Sequence, residues 1–133
     1  MTSVLPVRVS YEDTDFSGVV YHANYLRYFE RGRTEALRAA GGSHAEMMDK
    51  DGLAFTVTDL AIRYHRGARV DDELTVETTL TEMRGARMLF EQAVLKGDEV
   101  LATGRVTVAC MTMDGRPRRI PGAMRALFEP TMD

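Results

Sequence analysis

Tryptophan is absent from this 133-residue chain, and cysteine occurs once, at Cys110. One cysteine closes no intrachain disulfide and cannot assemble a zinc set, which excludes a disulfide-stapled scaffold and a zinc module. There is no excess of basic residues: 17 Lys and Arg face 20 Asp and Glu, a net charge of -3. That balance argues against a nucleic-acid partner, which draws on a basic surface. No apolar run approaches the ~20 residues of a membrane span. The opening Met1-Thr2-Ser3-Val4-Leu5-Pro6 lacks the basic and then apolar segments of a secretory signal. Together these absences point to a cytoplasmic protein. The length suits one domain, residues 1–133, with a real core and no room for a second. Methionine is frequent, at nine residues. It fills cores well, and the same pliability suits an apolar ligand pocket.

Residues 5–11 alternate, with Val7, Val9 and Tyr11 in one phase, and read as a half-buried strand. From about Asn24 the apolar positions switch to helical spacing: Tyr25, Leu26, Phe29, Ala36, Leu37 and Ala40. Gly41 and Gly42 end that helix. Gly32 lies inside it at a cost of ~1 kcal/mol relative to alanine, which suggests close backbone packing there. Ser43 and Glu46 form a capping-box pattern, so a second, short helix is expected to about Lys50. Strands then follow at 53–65, 73–83, 87–95 and 100–112, joined mostly by short glycine turns. The alternation slips phase near Thr58 and Asp59, which predicts a bulge or a change of buried face. Pro121 opens a final short helix with Met124, Leu127 and Phe128. Strand, long helix, short helix and four strands give an α+β architecture, with an antiparallel sheet covered by the long helix.

The chemistry concentrates in Tyr11 to Tyr25. Glu12, Asp13 and Asp15 stand directly before the long helix, with Gly18 and His22 between them and its first turn. A helix N-terminus offers unpaired N–H groups and a partial positive charge. Those groups can polarise a carbonyl while a carboxylate attacks it or activates water. The stretch is a candidate acyl-transfer site. From position alone each acid could equally be a turn or cap residue. His44 and His65 receive no role, and Cys110 lies in strand alternation and reads as buried.

Several segments resemble the hotdog-fold thioesterases. They are Tyr11-Glu12-Asp13-Thr14-Asp15, Gly18-Val19-Val20-Tyr21-His22, Tyr25, and residues 30–35, 68–74 and 83–85. The chain is similar to the 4-hydroxybenzoyl-CoA thioesterase group and, within it, to the short acyl-CoA thioesterases encoded with the Tol-Pal system. The resemblance covers roughly residues 6–128. It implies a sheet of about five strands wrapped around one long central helix, and hydrolysis of an acyl-CoA to a free acid and coenzyme A. Two positions depart from the pattern: Phe16-Ser17 replaces small residues beside the site, and Gly32 stands where alanine is usual.

The resemblance makes Asp15 the catalytic carboxylate, either as a nucleophile giving a mixed anhydride or as a general base on water. It gives the His22 backbone N–H the thioester oxygen, with the His22 ring orienting water or Asp15. Tyr11 would hydrogen-bond Asp15 or line the pocket. Gly18 and Val19 would let the backbone approach the substrate, and Tyr25 would pack over the acyl group. The phosphates of coenzyme A need cations. Arg84 with Arg87, and Arg116 with Arg118 and Arg119, are the preferred clusters over Arg63, Arg66 and Arg69. No metal or redox cofactor is implied. The expected assembly is a homodimer with sheets joined edge to edge and two sites at the interface, with dimers pairing into a homotetramer. The alternatives are an acyl-carrier-protein thioesterase, a non-catalytic acyl-CoA-binding module, and a hydratase or dehydratase on the same fold.

Overall fold

A five-stranded antiparallel sheet carries one long helix across one face. The computed structural model describes residues 2–132. The strands are β1 (Thr2–Arg8), β2 (Leu53–Tyr64), β3 (Glu73–Arg84), β4 (Arg87–Lys96) and β5 (Glu99–Thr112), in the order β1-β3-β4-β5-β2. The helix α1 (Asn24–Ala39) buries Tyr25, Tyr28, Phe29, Gly32 and Leu37. Two short helices follow, α2 (His44–Glu46) and α3 (Gly122–Phe128).

Apolar spacing places α1 on the sheet as expected. Near its N-terminus Tyr25, Tyr28 and Phe29 pack with Leu74, Val76, Val94 and Leu101. Toward its C-terminus Leu37 joins Leu80, Phe90, Val106 and Phe128. Between the two groups Gly32 meets the sheet directly. A Cβ there would lie 2.6 Å from Thr78 Oγ1 and 2.9 Å from Val76 Cγ1. The buried Gln92 amide fills the remaining space, donating to the Phe29 carbonyl and to Thr78 Oγ1, both at 2.8 Å. The absent side chain therefore sets how closely helix and sheet approach.

The phase slip in β2 is a register shift between Val57 and Asp59 against β5. It keeps Phe55 and Val57, and then Leu60 and Tyr64, on the helix side of the strand. Two elements differ from expectation. The first strand starts at Thr2 and stops at Arg8, and Tyr11–Asp13 form a single 3-10 turn. Asp13 ends the alternation, because its carboxylate accepts from the Ser10 N–H at 2.9 Å and offers the backbone a local partner. The second helix is α-helical only over His44–Glu46. Met47–Asp51 continue as a wider turn, closed at Gly52 with φ of 63°. Among the described residues no helix is long and apolar enough to cross a membrane.

Candidate active site

Residues 14–20 fold into a tight hairpin that lies across the segment leading into β3. Thr14 pairs with Val20 and Val19 with Arg69. The Asp15 N–H donates to the Val19 carbonyl at 2.9 Å, and the Gly18 N–H to the Asp15 carbonyl at 3.1 Å. Gly18 has φ of 82°, a left-handed conformation that glycine adopts without strain, which is what this turn requires. Its own carbonyl accepts from Val70 N–H at 3.0 Å. The backbone of the predicted Gly18-Val19 pair is thus used to anchor the loop.

The Asp15 carboxylate stands at the exposed tip of this hairpin. Its Oδ1 accepts from the Ser17 N–H at 2.8 Å and also from the Ser17 hydroxyl. The Ser17 hydroxyl, and then the Ser17 N–H, hold the Asp15 pKa below the ordinary 3.8. Asp15 is therefore a fully ionised carboxylate at neutral pH. The departure at Phe16-Ser17 has a structural meaning: Ser17 tunes Asp15, while Phe16 is 98% exposed.

Asp13 has a different role. Beyond its bond from Ser10, its carboxylate accepts from the Tyr28 hydroxyl at 3.0 Å, and its carbonyl accepts from the Tyr21 N–H at 3.0 Å. These bonds clamp the loop to the second turn of α1. Burial, and then the Asp13 hydrogen bond, push the Tyr28 pKa well above that of a free tyrosine, so the clamp stays neutral on the tyrosine side.

The chain enters α1 through Tyr21 and His22. Asn24 N–H is taken by the Tyr21 carbonyl at 2.8 Å, whereas the His22 and Ala23 N–H groups have no acceptor among the described residues. They are the unpaired donors of a helix start, and the dipole of a 16-residue helix lies behind them. The His22 carbonyl accepts from the Tyr64 hydroxyl at 2.7 Å. This bond ties the end of β2 to the helix entry. The exposed His22 ring lies 4.5 Å from the Tyr21 ring. The same end of α1 thus holds an ionised carboxylate and two free N–H donors, the combination that an acyl transfer needs.

The other predicted residues distribute unevenly. Tyr11 is 74% exposed, and its carbonyl rather than its ring serves the loop, accepting from Thr14. Tyr25 is buried, with its hydroxyl accepting from the Ala68 N–H at 3.2 Å. Its ring packs edge-on against Tyr64, which stands half exposed at the site. Arg84 and Arg87 lie at the β3–β4 turn. Twelve residues of β3, a run of about 35 Å, separate them from the Asp15 end of the sheet. The segment carrying Arg116, Arg118 and Arg119 reaches that same far turn, where Ile120 N–H donates to the Gly85 carbonyl. One chain therefore joins the two preferred arginine clusters to each other and not to Asp15. Arg69, of the third cluster, pairs directly with the Asp15 hairpin.

Tyr64, the Asp13–Tyr28 clamp and the Arg33 network were not singled out in sequence. Arg33 donates to Gln92 Oε1 at 2.9 Å and pairs with Glu30. Among the described residues no group of His, Cys, Asp and Glu could hold a metal ion.

The model of a family described as the thioesterase-like superfamily matches residues 9–128. The chain is 45% identical over 124 residues to the acyl-CoA thioesterase YbgC of Haemophilus influenzae, covering 92% of this chain and 91% of that protein. It is 40% identical over 126 residues to the acyl-CoA thioester hydrolase YbgC of Escherichia coli O157:H7, covering 93% of each. A probable thioesterase from Bartonella henselae superposes with a TM-score of 0.88 at 41% identity, covering 91% of this chain and 100% of the other.

Proposed function

The chain belongs to the thioesterase-like superfamily, and from that membership we propose how it works: it is an acyl-CoA thioesterase that starts hydrolysis with the ionised Asp15 carboxylate. The thioester oxygen sits on the free N–H groups at His22 and Ala23. Asp15 either adds to the carbonyl carbon or takes a proton from a water that does so. Negative charge gathers on the oxygen, where the helix-entry donors stabilise it. The C–S bond then breaks and coenzyme A leaves as the thiolate, which takes a proton from solvent in the first route and from Asp15 in the second. In the first route water next cleaves the mixed anhydride; in the second the free acid is already formed.

The observation that supports this reading is an unburied, hydrogen-bond-acidified carboxylate at the same end of a long helix as its unpaired N–H donors. Asp13 is a poor rival, since its bonds are spent on Ser10 and Tyr28. No step calls on a metal or a redox cofactor.

We also propose that the working unit is a dimer joined through β2, the sheet edge that carries exposed Val57 and Leu60. An unpaired strand edge is a ready template for a second copy. Two-fold pairing of β2 with itself reverses the second sheet. It would bring the second chain's Arg84 and Arg87 toward the Asp15 end of the first, where the phosphates of coenzyme A need cations. Acyl-CoA chemistry and a single free thiol suit the cytoplasm.

Thiol release from a panel of aliphatic and aromatic acyl-CoAs tests the reading. Turnover of at least one class is expected. No release from any of them, with the fold intact, would overturn it.

A further inference from the structure

Strand β2 runs back along α1, with Tyr64 at His22 and Phe55 against His44. Between them lies a cleft of about 200 Å³ lined by Leu26, Phe29, Val57, Leu60 and Val106, with Glu30 and Arg33 at its lower end. A smaller hollow of about 70 Å³ lies beyond, lined by Phe55, Met88, Phe90 and Phe128 among others. Glu30, Arg33 and Val57 border both spaces. They form the partition between an outer cleft that begins at Leu26, in the first turn of α1, and an inner hollow whose wall also carries Thr34 and His44.

The helix side of the partition is polar, and its buried member, Arg33, is held in place. The Arg33 side chain is 10% exposed, donates to Gln92 Oε1 and pairs with Glu30. Gln92 is itself held by Phe29 and Thr78. A hydrocarbon pushed against this pair would strip water from Glu30, which is still 67% exposed, without replacing its hydrogen bonds. We propose that the Glu30–Arg33 pair, anchored to the sheet through Gln92, is the end-stop that sets the length of the acyl chain. The inference rests on the thioesterase reading above and adds a specificity-determining pair to it.

The geometry sets the scale. Ala23, the residue that opens α1, and Glu30 are seven residues apart, about 10 Å at 1.5 Å per residue. Arg33 reaches back over that level, because helical side chains lean toward the N-terminus. An extended chain advances about 1.3 Å per carbon, given a bond of about 1.5 Å, so roughly eight carbons reach the pair. Longer straight chains meet the partition, and shorter ones lie wholly in the outer cleft.

The test is kcat/KM across straight-chain acyl-CoAs from two to sixteen carbons. Wild type is run beside a Glu30→Ala/Arg33→Met double variant and a Val57→Phe variant, with folding of each checked by circular dichroism. Wild type is expected to decline beyond about eight carbons. The double variant joins cleft and hollow, and should raise the ratio of ten-carbon to four-carbon kcat/KM by about tenfold or more. Val57→Phe adds bulk at the partition and fills the inner end of the cleft, and should move the optimum to shorter chains even if the double variant fails to fold. Wild-type chain-length profiles in the folded variants would overturn the end-stop, as would wild-type turnover of sixteen carbons as fast as six. Absence of turnover by wild type on every acyl-CoA would instead remove the thioesterase reading and the end-stop with it.

Discussion

The Tyr64 hydroxyl donates to the His22 carbonyl at 2.7 Å. The residues are 42 positions apart, and the bond joins the last residue of β2 to the entry of α1. It holds the peptide that leads into the free helix-entry donors. Tyr64→Phe removes that tether while keeping the ring that packs on Tyr25. A fall in kcat of roughly threefold to tenfold is expected, in line with the loss of one hydrogen bond. Steady-state kinetics on the preferred acyl-CoA reads it, and an unchanged kcat would separate the tether from catalysis.

The Asp13–Tyr28 bond answers to stability rather than to chemistry. Tyr28→Phe leaves the Asp13 carboxylate with only its Ser10 partner. Urea unfolding should show a loss of about 1 kcal/mol, the usual worth of one hydrogen bond. A variant as stable as wild type would remove the clamp from the account.

Acid sensitivity should report Ser17. The Asp15 pKa is held low by the Ser17 hydroxyl first and by the Ser17 N–H second. In the proposed mechanism the active form is the carboxylate, so activity is present above the Asp15 pKa and is lost as pH falls through it. Ser17→Ala removes the larger cause, and the pKa rises toward the ordinary 3.8. The acid limb of kcat/KM should therefore move to higher pH. A limb that stays in place would show that another group sets it.

Element order was legible from periodicity alone. The shift from alternation to helical spacing at Asn24, the glycines after Ala40 and the slip at Thr58 all carry local signals. The end of β1 was not legible, because Asp13 halts the strand by bonding the Ser10 backbone, and alternation does not register such a bond. For the proposed site, Asp15, Gly18 and His22 were singled out through a motif within one segment. Tyr64 could not be found that way: its place depends on β2 running back along α1. The arginines show the same limit. A turn announces that Arg84 and Arg87 are exposed, but not which end of the sheet they occupy.

Gly32 offers a test of helix–sheet spacing. Alanine gains about 1 kcal/mol in helix propensity, yet its Cβ would lie 2.6 Å from Thr78 Oγ1 and 3.0 Å from Gln92 Nε2. Crowding of this kind costs typically 1–3 kcal/mol. Gly32→Ala should lower the urea midpoint, with the slope unchanged. A higher midpoint would mean that helix and sheet part at little cost.

The most direct measurement compares thiol release by Asp15→Asn and Asp13→Asn with wild type on one acyl-CoA, alongside thermal unfolding of all three. The account predicts that Asp15→Asn loses a factor of about 10² or more in kcat and unfolds near the wild-type temperature. Asp13→Asn should keep much of its turnover and unfold earlier. Wild-type turnover by a folded Asp15→Asn variant would contradict the claim that the Asp15 carboxylate starts the reaction.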